Sequence, residues 1–157
     1  LYEKPASLKV AQFIGSPAIN LLPAKVAAGG RLELFDQPLA LAASLPQGEA
    51  VTLGVRSEAL SLVEGASEAD GRGRFPARLR RKENLGSEYI LHFDLAGREG
   101  AGVTMRATPA AAAGVNEASE VRLGFDAAAC HLFSADGDRI EPRGASVAAG
   151  SVVPLRA

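Results

Sequence analysis

Residues Arg74–Leu95, RFPARLRRKENLGSEYILHFDL, alternate with a period of two. Phe75, Ala77 and Leu79 fall on one side, against Arg74, Arg78, Arg80 and Lys82 on the other. Tyr89, Leu91 and Phe93 repeat the pattern, with Glu88, His92 and Asp94 opposite. Successive side chains of a strand point to opposite faces, so this stretch predicts two strands sharing a buried face. Their exteriors are basic on one strand and acidic on the other, which favours charge pairing across the sheet.

The same period continues outward in short runs separated by turn residues. Strands are expected over Asn20–Ala28, Arg31–Phe35, Pro38–Ala43, Val51–Arg56, Ala101–Ala107, Val121–Phe125 and Cys130–Phe133. Gly29-Gly30 and Asp136-Gly137 are hairpin-type turns. Gly65–Gly73 reads as a polar, acidic loop, and Pro109–Gly114 as either a helical turn or a plain linker. About eight short strands with little helix make a mainly β fold, a small barrel or barrel pair. The exception is the start, LYEKPASLKVAQFIG. There Pro5, the apolar positions Leu8, Ala11 and Phe13–Ile14, and Gly15 predict a short helix that Ser16-Pro17 ends. The divisions expected are a terminal helix over 1–15, a β domain over 16–142 and a flexible tail over 143–157.

Length and composition set bounds. The chain has 157 residues, a one-domain length, and a net charge of −1, which creates no field to attract nucleic acid or an anionic membrane. The single Cys130 excludes an internal disulfide framework. No apolar run approaches the roughly 20 residues needed to span a bilayer.

Five blocks in order resemble the ATP-binding subunits of carbohydrate-type ABC importers, the maltose, multiple-sugar and glycerol-3-phosphate ATPases. The first is FIGSPAIN, with the junction residues Gly15, Ser16, Pro17 and Asn20; in that family such a seam joins the last helix of the nucleotide-binding domain to a C-terminal regulatory domain. GVRSEAL (Gly54–Leu60), ENLGSEYILHFDL (Glu83–Leu95), VRLGFD (Val121–Asp126) and CHLFSADGDRI (Cys130–Ile140) follow. Ser57 and Ala59 stand where the family usually has Pro and His, Gln12 where it has Gly and Ile19 where it has Met. The resemblance implies an OB-like barrel of the transport-associated (TOBE, MOP-like) class. It implies a non-catalytic regulatory and dimerisation role in a cytoplasmic complex at the inner membrane, with the initial helix left over from the ATP-binding domain. Its implied partners are a second copy of the subunit, the transporter's membrane subunits and a regulatory protein, and ATP and Mg belong to the nucleotide-binding domain.

The residues of this chain do not make an ATPase site by themselves. A phosphate-cradling loop needs G-x-x-x-x-G-K-[ST], and none of Lys4, Lys9, Lys25 and Lys82 follows a Gly. No LSGGQ-like signature is present. His131 and Cys130 are strand neighbours pointing to opposite faces, so they cannot share a proton, and the thiol reads as core. Glu88, His92 and Asp94 share one strand face, where neighbours two residues apart are already roughly 6.5–7 Å from one another, too far for a compact metal site without another strand. The basic face has no exposed aromatic platform for base stacking, and nucleic acid is not expected as a partner. Arg56 and Glu58, at the end of an apolar strand, are either a local turn pair or a regulatory or dimer contact, and Phe133 is either core or a contact knob. A second functional reading, a module sensing a small solute or oxyanion, rests on Ser16, Ser87 and Lys82.

Overall fold

The computed structural model describes residues 7, 18–35, 37–63, 72–95 and 98–141. The described residues form two antiparallel sheets over one shared apolar core. The strands in chain order are β1 (Asn20–Val26), β2 (Arg31–Leu34), β3 (Gln37–Ala42), β4 (Ala50–Val55), β5 (Ser61–Val63), β6 (Arg72–Asn84), β7 (Tyr89–Leu95), β8 (Arg98–Ala107), β9 (Glu120–Asp126), β10 (His131–Phe133) and β11 (Arg139–Ile140). A short helix, α1 (Pro109–Ala113), follows β8. The first sheet has the order β11-β10-β4-β1-β2-β3 and the second β5-β9-β6-β7-β8. The mainly β class expected from the period-2 pattern, and the OB-like form that the resemblance implies, are what the chain adopts.

Alternation builds the core directly. Leu22, Ala24 and Val26 of β1, Leu32 and Leu34 of β2, and Val51, Leu53 and Val55 of β4 point inward. They meet Phe75, Ala77 and Leu79 of β6, Leu91 and Phe93 of β7, and Leu123 and Phe125 of β9 in one cluster. Phe35, on the β2–β3 turn, packs edge-on to Phe75 at 6.2 Å and ties the first sheet to the second. Both turns hold: Gly29 and Gly30 take positive φ (76° and 84°), and Gly137 does so at 90° between β10 and β11. The Pro109–Gly114 stretch resolves as helix, capped by the Thr108 hydroxyl accepting from the Ala111 N–H at 3.2 Å.

Four expectations change. β6 begins at Arg72, inside the stretch read as a loop, and pairs there with β9 alone. That one-sided start accommodates Pro76, which has no ladder N–H to give. β5 and β11 are strands of three and two residues, too short to show a period. Third, the register of β6 against β7 shifts between Leu79 and Arg81. The extra residue reverses the alternation, so Lys82 pairs across from buried Leu91 and leaves the basic face. Its Nζ donates to the Ala112 carbonyl of α1 at 2.6 Å. Fourth, Ser7, the one described residue of the expected initial helix, forms an isolated antiparallel bridge with Asp138. A helix therefore does not run through position 7; Ser is a residue whose side chain favours non-helical backbone. The rest of that stretch, with Gly15, Ser16 and Pro17, and the tail from 142 onward lie outside the described residues.

Candidate functional site at the seam of the two sheets

Asn20 opens β1 and is 5% exposed. Its amide Nδ2 donates to the Thr104 carbonyl at 2.8 Å, and its Oδ1 accepts from the Thr104 N–H, also at 2.8 Å. A carboxamide has the donor and acceptor spacing of a peptide group, so Asn20 pairs with β8 as an extra strand residue would. The first sheet is thus stitched to the free edge of the second across 84 residues of chain. The sequence singled Asn20 out as part of a junction; its role as a clamp needs the β8 partner, which no local pattern reveals.

Next to this clamp, β4 runs into a single helical turn, Ser57–Ala59, that packs on β8. Gly54, two residues before Arg56, has no room for a side chain: a Cβ there would sit 2.9 Å from Ile19 and 3.1 Å from the Phe133 ring. Arg56 is 5% exposed and Ser57 is buried, whereas Glu58 projects into solvent with its carboxylate 3.4 Å from the Ser57 hydroxyl. Arg56 and Glu58 therefore do not form one surface feature. Phe133 is fully buried, packed with Ile19 on the opposite side of the sheet from the main core. Of its two readings, core is the correct one, because a side chain with no exposed surface is not a contact knob.

Glu58 faces an open cleft of about 470 Å³ lined with Ser87, Glu88, Arg106, Ala107 and Thr108. Glu88 and Arg106 form a short ion pair across it. The cleft offers carboxylates and hydroxyls without an aromatic platform, so its chemistry is polar contact. An oxyanion at Ser87 would meet the carboxylates of Glu58 and Glu88. Lys82, committed to α1, lies apart from it, and Ser16 is outside the described residues. The candidates for oxyanion sensing are not brought together among the described residues. Arg106 and Thr108 were missed at the sequence level because the cleft is formed by three segments, each of which looks like an ordinary strand end or turn.

The charged exterior is paired as its pattern predicted, with some partners exchanged. Arg80 meets Asp94 at 3.8 Å, and Arg78 meets Glu120 of β9 at 3.8 Å. Glu88 goes to β8 rather than to the basic strand, and His92 Nε2 lies 3.1 Å from Glu83. The Arg78–Glu120 and Arg80–Asp94 pairs are exposed and worth about 0–1 kcal/mol each, so they neutralise the surface more than they stabilise it. No cluster of three or more His, Cys, Asp or Glu able to hold a metal occurs among the described residues.

Cys130 is buried, and its pKa is raised to about 12, chiefly by loss of solvent and secondarily by the nearby Asp126. Native protein at about pH 8 should react with iodoacetamide roughly 10³-fold more slowly than an ordinary thiol, and normally once unfolded. Mass spectrometry of timed alkylation checks this; fast native labelling would show that the thiol is accessible and ionised.

Comparison with known proteins agrees with this architecture. A TOBE domain model matches residues 53–133, from β4 through the second sheet to β10, and a MalK OB fold domain model matches residues 15–60. The sn-glycerol-3-phosphate import ATP-binding protein UgpC of Chromohalobacter salexigens is 36% identical over 92% of this chain and 38% of that protein. The UgpC of Cereibacter sphaeroides is 40% identical over 88% of the chain and 36% of that protein. The chain thus spans well under half the length of these relatives. A crystal structure of the cytoplasmic molybdate-binding protein ModG with molybdate bound superposes with a TM-score of 0.57 at 17% identity, covering 76% of this chain and 98% of that one. At that identity the likeness is one of fold. With its model matched over residues 53–133, more than half of the 157 residues, and the two-sheet body to go with it, the chain belongs to the TOBE domain family.

Proposed function

We propose that this chain is the non-catalytic regulatory and dimerisation domain of an ABC importer's ATP-binding subunit, one that takes up glycerol-3-phosphate or a related carbohydrate. The observation that carries the reading is the TOBE match over residues 53–133 together with 36–40% identity to UgpC proteins across nearly the whole chain. The chemistry of the body is in keeping with it: the one thiol is held protonated, and the charged strands are paired with one another. In this reading ATP and Mg bind another domain of a longer protein, and the regulatory domain occupies 16–142. The complex sits on the cytoplasmic face of the inner membrane. A second copy, the membrane subunits and a regulatory protein are its partners, and exposed Glu58, beside the buried Arg56 turn, is the contact residue this reading favours.

The test is made in the intact importer, reconstituted in vesicles. Replacing residues 18–141 of the ATP-binding subunit with a flexible linker should leave nucleotide binding in place while uptake escapes its normal control. Glu58→Lys in the full-length subunit should shift that control without altering ATP affinity. Unchanged regulation in the truncated importer would overturn the proposal, as would loss of ATP binding on truncation.

The sensing alternative has less behind it. Ser87 lies beside two carboxylates, Lys82 is bonded to α1, and the resemblance to ModG is of fold.

A further inference from the structure

We propose that His131 is a proton-sensitive latch that holds β11, and with it the Ser7 bridge, onto β10 at the edge of the first sheet. β10 lies between β4 and β11, with His131 across from Gly54 and Phe133 across from Arg139. His131 and Phe133, two residues apart, share a face. Arg139 therefore lies diagonally from the His131 ring, and its NH1 donates to His131 Nδ1 at 3.1 Å. A guanidinium has donors only, so Nδ1 must present its lone pair and the ring proton must sit on Nε2. The contact exists only for neutral imidazole.

The surrounding charges oppose protonation. From β11 comes Arg139, whose Nε is bonded to exposed Glu141 at 3.1 Å; from the end of β4 comes buried Arg56. β4 itself carries no ionisable side chain, and the turn between β10 and β11 carries Asp136 and Asp138. Burial, then Arg139, then Arg56 hold the imidazole below its ordinary pKa. A depressed pKa means that folding favours the neutral ring. The stabilisation is complete above the ordinary value of about 6.5 and is lost as pH falls through the folded value. A proton gained at Nδ1 takes the place of the Arg139 donor and sets a third cation beside two.

Besides that contact the strand is held by two residues of pairing with β10 and by Ile140 packing against the core. β11 is two residues long, and its turn rests on the Ser134 N–H to Asp138 carbonyl bond at 2.8 Å and the Gly137 N–H to Ser134 carbonyl bond at 2.9 Å. Ser7 bridges to Asp138 in the same turn. Acidification thus frees β11, the turn and Ser7 together, while β4 keeps its pairing with β1.

The test is an NMR titration of the full chain, following the His131 ring and the amide protection factors, corrected for intrinsic exchange. His131 should titrate below about 6.5, and protection at Ile140 and Asp138 should fall roughly tenfold for each unit by which its pKa is depressed. Protection at Leu53 and Phe75 should stay level over the same range. His131→Asn, whose amide oxygen accepts from Arg139 and does not titrate, should remove the pH dependence. A ring titrating at its ordinary value, hairpin protection constant through the ring's titration, or the same acid loosening in His131→Asn would each overturn the latch. The wild-type titration decides alone if the variant does not fold.

Discussion

Asn20→Ala should lower the free energy of unfolding by about 2–5 kcal/mol, read as a lower urea midpoint. The change removes two 2.8 Å hydrogen bonds and leaves the Thr104 N–H and carbonyl facing a cavity in place of a partner. Each stranded backbone group costs about 1–3 kcal/mol where water cannot reach it. Apolar area lost is small by comparison, so the polar loss dominates. Asn20→Asp keeps the acceptor for the Thr104 N–H but turns the donor into a second oxygen facing a carbonyl, and should be no better tolerated. A cost below about 1 kcal/mol for Asn20→Ala would mean that the sheets are held by the core alone.

Gly73→Ala should be about as damaging, by a different route. A Cβ at Gly73 would lie 2.3, 2.6 and 2.9 Å from atoms of the Phe125 ring, which is fully buried and packs against Phe75 at 6.5 Å. The far edge of the ring reaches over the glycine across the β6–β9 pair. Overpacking usually costs about 1–3 kcal/mol, and contacts this short on a fully buried ring put this site at the upper end, about 3 kcal/mol. Gly86→Ala is the control. Nothing lies within 4 Å of its Cβ and its φ is +96°, so only backbone strain of about 1–2 kcal/mol is expected. Thermal or urea unfolding of the two variants side by side decides the matter: equal costs would show that Phe125 is free to move.

Wherever a buried face met a solvated one over several residues, the strands could be read from the sequence. Phe75–Leu79 and Tyr89–Phe93 specify their own faces through alternation, and Gly29-Gly30 and Asp136-Gly137 specify their turns through positive φ. The bulge after Leu79 escaped because Arg80, Arg81 and Lys82 are all basic, so composition is blind to a one-residue slip; only the pairing of Lys82 with Leu91 reveals it. Arg56 was visible as a residue of interest, yet its burial was not, since a guanidinium beside polar Ser57 and Glu58 has the local look of a surface turn. The cleft around Arg106 was illegible because its walls come from segments far apart in the chain. Phe133 shows the converse: two readings were open, and the closeness of Gly54 and Ile19 selects one.

The first sheet is completed by the last strands among the described residues, since β10 and β11 lie beyond β4 in its order. While the chain is being synthesised, β4 must therefore wait with one hydrogen-bonding edge bare until residue 133 has left the ribosome. The whole second sheet is made in the interval. That edge belongs to the strand AVTLGV, apolar and free of charge, a sequence that invites pairing with another nascent chain. Production of the domain should accordingly be most sensitive to whatever delays or removes its final hairpin, and a chain stopped just after β9 should accumulate as aggregate even though most of its core residues are already present.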